Sequence, residues 1–236
     1  MLLYQRPHQP SPQALAKPYR FLRLPMQIDA TPLVEELADA PLTWLPSQWK
    51  WHLGTDLCIL RAGQAGKHPG SALVNGTDVD APILTHLPRL RAVLNEGFPA
   101  PVRLAWLGRS PANSCIHLHI DNTSHWDEHH RLHIPLITTP GARLCIEGGF
   151  VHMPAGTVWA FNNSRPHGVI NTGPDRIHLM VDLSPVPAVE ALMAAGEPVE
   201  GTPDAAALAW LTKDPLTALS AEQRTDAYFM ARLHLQ

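Results

Sequence analysis

Four side chains in this 236-residue chain have the types and spacing to do chemistry: His119, Asp121, His167 and Arg176. In SCIHLHID, residues 114–121, the apolar Ile116, Leu118 and Ile120 interleave with His117, His119 and Asp121. Residues two apart share a face of a β-strand, so this spacing predicts that His119 and Asp121 point into one cavity. An imidazole and a carboxylate so placed form two-thirds of the two-His-one-carboxylate triad. That triad binds Fe(II) on one side and leaves the opposite positions open to substrate and oxygen. His167, in NNSRPHGVINTG, is the natural third ligand, and Arg176 follows nine residues later on another alternating stretch.

Two stretches bring further basic groups to a common face. In RLHIP, Arg131 and His133 share one side while Leu132, Ile134 and Leu136 take the other. In RIHLM, Arg176 and His178 share one side, with Ile177, Leu179 and Val181 behind. A buried guanidinium needs an anion, and its planar fork suits a carboxylate. An Arg inside the cavity of an iron site therefore points to a carboxylate-bearing co-substrate. His117 and His178 read as supporting or core histidines.

A competing pattern lies close by. His125 to His129 spells H-x-x-E-H, the inverted zinc-protease motif, with Glu128 as base and Glu190 or Glu197 as a downstream ligand. That reading needs a helix, and the segment sits between one strand and the start of the next, so His125, His129 and His130 read as rim residues.

The elements that must position these groups are short. From Val102 to Leu183 the chain runs VRLAWLG, SCIHLHI, HRLHIPLI, RLCIEG, TVWAFNN, GVINTG and RIHLMVDL, punctuated by Gly, Pro, Asn and Asp. Strands at this spacing without long helices predict a sandwich or barrel, and jelly rolls and cupins close such strands around a cavity. Upstream, FLRL predicts a first strand and 57–60 a buried one. DATPLVEELADA predicts a helix with Thr31 as N-cap, Pro32 at the first position and Glu35 and Glu36 in the opening turns. Residues 62–80 read as a long loop, and 80–94 as a helical stretch that Pro88 kinks or splits. After Pro185 the chain becomes Ala/Leu-rich and helical in composition.

The pieces SCIHLHID, RLHIPLIT, VHMPAGTVWAFNNSRPHGVINTG and RIHLMVDL together resemble the aspartyl/asparaginyl β-hydroxylase-type family of Fe(II)/2-oxoglutarate dioxygenases, which includes bacterial proline cis-4-hydroxylase-like amino acid hydroxylases. The resemblance is strong over about residues 102–183 and weaker over 20–101. It implies a mainly β fold, a double-stranded β-helix (jelly-roll, cupin-like) core with N-terminal helices and a C-terminal helical extension. It implies His119, Asp121 and His167 as iron ligands and Arg176 on the distal carboxylate of 2-oxoglutarate. Arg131 and His133 are implied near the co-substrate or substrate carboxylates. The expected reaction is hydroxylation of an amino acid, an amino acid derivative or a residue of a small peptide, with O₂ consumed. The sequence departs from the family where Trp106 stands near an expected Arg and Ala112-Asn113-Ser114 replaces a Pro-Gly-Ser turn, which bears on the substrate. The alternatives are a cupin-like metal enzyme that does not use 2-oxoglutarate and a non-enzymatic metal- or ligand-binding jelly roll.

Composition narrows the remaining classes. Lys and Arg total 18 against 21 acidic residues, a net charge of −3, with no basic stripe for nucleic acid. No apolar run of about 18 residues predicts a membrane span. Three well-separated cysteines argue against a disulfide framework and for a cytoplasmic protein. The length suits a dioxygenase domain over residues 1–184, with 185–236 a helical extension packed on it. That extension is expected beside the cavity mouth as a cover, the other options being a homodimer contact or plain core extension.

Overall fold

The alternation in RIHLMVDL makes β12 (Arg176–Leu183) a strand with one apolar and one chemically equipped face, and the larger of two sheets is built around it. The computed structural model describes residues 17–47, 49–62, 79–121 and 128–218. Its other strands are β1 (Phe21–Gln27), β2 (Leu45–Pro46), β3 (Asp56–Ala62), β4 (Val79–Asp80), β5 (Val102–Ser110), β6 (Ser114–His119) and β7 (His130–Ile137). They continue with β8 (Ala142–Ile146), β9 (Gly149–His152), β10 (Thr157–Phe161), β11 (His167–Asn171), β13 (Glu197–Val199) and β14 (Thr202–Pro203). The larger sheet runs β13-β1-β10-β7-β12-β5-β3-β2, with β4 beside β3, and the smaller runs β14-β9-β8-β11-β6. Every pairing is antiparallel, and the two sheets form a jelly-roll sandwich.

Three apolar layers hold it together. Phe21 and Trp159 of the larger sheet pack between the sheets with Leu144, Ile146, Val151 and Val169 of the smaller. Leu132, Ile134, Leu136, Ile177, Leu179 and Val181 face outward from the larger sheet, as the alternation requires. They pack in one cluster with residues of three helices: α1 (Thr31–Asp39), α2 (Pro88–Glu96) and α3 (Pro187–Ala194). On the far side, α4 (Ala205–Leu211) covers Cys115, Leu118, Cys145 and Ile170. Full burial of a Leu or Ile is worth about 1.5–3 kcal/mol, so these layers dominate the stability.

The helix starts differ from expectation in an informative way. Thr31 is not the N-cap of α1; Ala30 holds that position, and the Asp29 carboxylate accepts the Thr31 N–H at 3.1 Å. Glu36 lies past the first turn of α1 and caps the next helix instead, accepting the N–H groups of Arg89 and Leu90 at 2.8 and 2.9 Å. An anion there meets the positive end of the α2 dipole. Pro88 does split its stretch, into a 3₁₀ helix over Pro82–His86 and α2. The long loop expected over 62–80 falls mostly on residues outside those described. C-terminal residues do more than add helices: β13 joins the edge of the larger sheet on β1, and β14 joins the smaller on β9. No helix among the described residues is long and apolar enough to cross a membrane.

Candidate metal centre

His119 ends β6 and His167 begins β11, and the two are directly paired across the ladder. Asp121 follows β6 by two residues and is tied back by its N–H, which donates to the Asn163 carbonyl at 3.0 Å. These three residues bring ligand atoms within 4.8 Å of one another, the one such group among the described residues. His119 Nε2 lies 3.7 Å from Asp121 Oδ1, and His167 Nε2 lies 3.9 Å from Asp121 Oδ2. Asn163 Nδ2 donates to Asp121 Oδ2 at 3.3 Å and orients the carboxylate.

Both imidazoles are turned the right way for a metal. His119 Nδ1 lies 2.8 Å from the His117 carbonyl, and His167 Nδ1 lies 2.9 Å from the Arg165 carbonyl. A carbonyl can only accept, so each Nδ1 carries a proton, and each Nε2 is the nitrogen turned to the cavity. Burial, with His119 alongside, pulls the His167 pKa down to about 4, so the ring is neutral. Burial by itself would raise Asp121, but His167, His119 and Arg131 outweigh it and hold the carboxyl below its ordinary value. Two imidazoles with Nε2 turned inward and one carboxylate, all on one side, form a donor set for a divalent first-row metal.

A β-bulge makes this possible, and it breaks the simple alternation expected of SCIHLHID. The β6–β11 register slips between His167↔His119 and Val169↔Ile116. Ile116 therefore faces the inter-sheet space, whereas Leu118 turns outward to pack with α4. His117 goes with it, 3.5 Å from Cys115 Sγ and away from the metal centre. Gly168 sits opposite the slip, where an added Cβ would fall 2.6 Å from the Ile116 carbonyl oxygen.

The two arginines reach the same cavity in opposite electrical conditions. Arg131 and Asp182 are register partners on β7 and β12. Arg131 donates to the fully buried Asp182 through Nε at 2.7 Å and a second nitrogen at 2.8 Å, and stacks 4.3 Å over Trp106. Arg176 has no such partner. It donates to Ser110 Oγ at 3.2 Å and to His178 Nδ1 at 2.7 Å, and no carboxylate among the described residues lies in salt-bridge range. Burial pulls its pKa down to about 9, which leaves it cationic at neutral pH with its charge unneutralised. His133 lines the same space and leaves its Nε2 buried without a hydrogen-bond partner.

The rim cluster behaves differently. His130 Nε2 lies 2.8 Å from Glu190 on α3, and Glu128 and His129 do not join the metal-capable group. His125 lies outside the described residues. Sequence reasoning missed His52, whose Nε2 lies 3.1 Å from His119 Nε2, and also Asn163 and Asp182. The Asp182–Arg131 pair was readable from VDL and RLH laid antiparallel; His52 carried no periodic signal.

Parts of the chain are similar to known proteins. The aspartyl/asparaginyl beta-hydroxylase family pattern matches residues 71–185. An L-proline cis-4-hydroxylase from Rhizobium meliloti is 26% identical over 167 residues, covering 66% of this chain and 58% of the relative. The match thus spans less than two-thirds of that protein's length. A 2OG-Fe(II) oxygenase family structure from Burkholderia pseudomallei aligns with a TM-score of 0.46 at 17% identity, covering 66% of this chain and 77% of its own. HygX from Streptomyces hygroscopicus, with nickel, 2-oxoglutarate and hygromycin B bound, aligns at 0.44 and 14% identity, covering 75% and 88%. Over residues 71–185, then, the chain is similar to the aspartyl/asparaginyl beta-hydroxylase family.

Proposed function

We propose that this chain is an Fe(II)- and 2-oxoglutarate-dependent dioxygenase that hydroxylates an amino acid, an amino acid derivative or a residue of a small peptide. The observation that carries the reading is the coexistence, in one cavity, of the His119/Asp121/His167 group and an unneutralised buried arginine. In this scheme His119, Asp121 and His167 hold Fe(II). Bound there with 2-oxoglutarate, Fe(II) would supply O₂ activation, one oxygen atom entering the substrate C–H as C–OH and the other entering succinate as 2-oxoglutarate loses CO₂. The similarity to a proline cis-4-hydroxylase favours an amino acid-like substrate.

The protein's own contribution is placement. The His117 and Arg165 carbonyls fix the ligand tautomers, and Asn163 fixes the carboxylate. Arg176 takes the distal carboxylate of 2-oxoglutarate, oriented by Ser110 and His178. Arg131, already paired with Asp182, contributes a shaped and less charged wall with Trp106. This asymmetry supports a reading with the dianionic co-substrate on the Arg176 side and the substrate on the Arg131 side. Trp49, Trp106, Phe161 and Met180 line the cavity and exclude water.

The test is succinate release by the purified chain across free amino acids and N-acylated or peptide analogues. Succinate that requires both Fe(II) and 2-oxoglutarate is the expected result. Metal-dependent turnover without 2-oxoglutarate would favour a different cupin-like enzyme, and metal binding with no turnover of any kind a binding protein.

A further inference from the structure

His52 enters the cavity from outside the strands that carry the metal centre. It ends the 3₁₀ turn Lys50–His52, and the chain then reverses through Gly54, at φ 85°, into β3. Its position is fixed on several sides. The His52 N–H donates to the Trp49 carbonyl at 3.0 Å, and its own carbonyl accepts from the N–H and Oγ1 of Thr55 at 3.1 and 2.8 Å. Trp51 is buried, and Lys50 Nζ lies 3.7 Å from Asp214, which ties the turn to C-terminal residues. The imidazole stands edge-on to Trp49, with centroids 5.5 Å apart, and 4.7 Å from the His119 ring.

The direction of its contact with His119 follows from chemistry. His119 Nδ1 donates to the His117 carbonyl, and as a metal ligand His119 must offer a bare Nε2. His52 Nε2, 3.1 Å away, must then be the donor. A metal at His119 takes the Nε2 lone pair and leaves the His52 N–H buried without an acceptor, which is costly unless another arrives. The new acceptor has to sit beside His119 at the metal, where exogenous ligands bind. Two ligand nitrogens about 2.0–2.1 Å from one cation also lie about 3 Å apart, so distance alone would admit His52 as a fourth ligand. Two points speak against that. His52 falls outside the group of atoms mutually within 4.8 Å, and its proton lies on the nitrogen that would have to bind.

We propose that His52 is a positioning residue that donates its Nε2–H to a carboxylate oxygen of 2-oxoglutarate at the metal, and is not itself a metal ligand. This rests on the functional reading above. Nothing in SQWKWHLG marks the role in sequence, because one histidine in a short turn between tryptophans has no strand or helix period.

The experiment uses the full chain loaded with Co(II) without oxygen, whose d–d bands report the metal and are perturbed when 2-oxoglutarate binds. His52→Ala is expected to keep Co(II) affinity within about twofold and to weaken 2-oxoglutarate binding by about tenfold or more, the scale of one hydrogen bond to a charged group. His52→Gln, which retains an N–H at similar reach, is expected to recover much of that loss. His119→Ala is the control that should lose Co(II). A Co(II) loss in His52→Ala as large as in His119→Ala would make His52 a ligand and overturn the proposal. Unchanged 2-oxoglutarate affinity in His52→Ala, or an equal loss in His52→Gln, would overturn the donor role. Should the unaltered chain fail to bind Co(II), or its bands ignore 2-oxoglutarate, it is the dioxygenase reading that fails.

Discussion

Arg176 Nη2 lies 2.7 Å from His178 Nδ1, two residues along the same strand face. The guanidinium has only donors, so His178 must be neutral, with its proton on Nε2. Burial, and then Arg176, push the His178 pKa well below its ordinary value, in line with that role. His178 thus orients a cation without neutralising it. Truncating one partner of a buried charge pair costs about 2–5 kcal/mol. Arg176→Met is therefore expected to raise the KM for 2-oxoglutarate by well over tenfold while iron binding persists. An unchanged KM would move the anchor to another cation, with Arg131 first in line.

Metal binding should follow the strand pair and not the rim. His119→Ala and His167→Ala are expected to abolish Fe(II) binding and turnover, measured by equilibrium dialysis and succinate release. His125→Ala and His129→Ala should leave iron affinity largely intact. Equal losses in both sets would sink the ligand assignment.

Acid should destabilise the metal-free protein through its buried neutral histidines. Burial first, with Arg131 and Arg176 adding, holds His133 well below the ordinary value, and His178 is held likewise. In the unfolded chain these groups titrate near about 6.5, so below that pH the unfolded state binds more protons. Stability is complete above about pH 6.5 and falls as the pH drops, by up to about 1.4 kcal/mol per unit for each group. Urea midpoints between pH 7.5 and 5 should show the decline, and His178→Gln should make it shallower. A flat profile would contradict buried neutral imidazoles.

Gly168→Ala is a test of the bulge. Its Cβ would fall 2.6 Å from the Ile116 carbonyl oxygen, which is backbone and cannot rotate away. Overpacking of this kind costs about 1–3 kcal/mol. The expected outcome is a lower urea midpoint together with weaker Fe(II) binding, since the slip also aims His119. Loss of stability with undiminished iron affinity would separate the bulge from the site.

The cover expected of the C-terminal segment can be tested on α3, where Met193 lines the cavity and Glu190 holds His130. Met193 also belongs to the core layer, and β13 extends the larger sheet. Deleting everything after Ser184 would therefore remove structural elements along with any cover. Met193→Ala is the milder change, expected to alter substrate preference and to raise 2-oxoglutarate consumption per hydroxylation. Unaltered preference and tight coupling would remove α3 from the substrate pocket.

Much of this arrangement was legible because strand faces obey a period of two. RLHIP and RIHLM delivered Arg131, His133, Arg176 and His178 to one side and their apolar neighbours to the other. SCIHLHID delivered His119 and Asp121 but misplaced Leu118, because the slip that reorients it is marked by Gly168 on the partner strand. Helix starts were read one residue late at Thr31, since Asp29 caps from further back. Glu36 was assigned to its own helix because sequence order hides its neighbour, α2. His52 arrives from an element with no repeat to read.

The short run of residues 197–203 gives its first half to one sheet and its second half to the other. Gly201 and Gly149 meet there so closely that a Cβ on Gly201 would lie 2.4 Å from the Gly149 carbonyl carbon. Along this side the sandwich is bound by backbone, like the spine of a book. At the other side, β6 edges the smaller sheet and β3 lies near the end of the larger, and ring contacts of the turn that carries His52 bridge the gap. The two sides of the sandwich are thus joined by different means, backbone at 197–203 and side chains at His52, and the metal-capable group lies beside the side-chain seam.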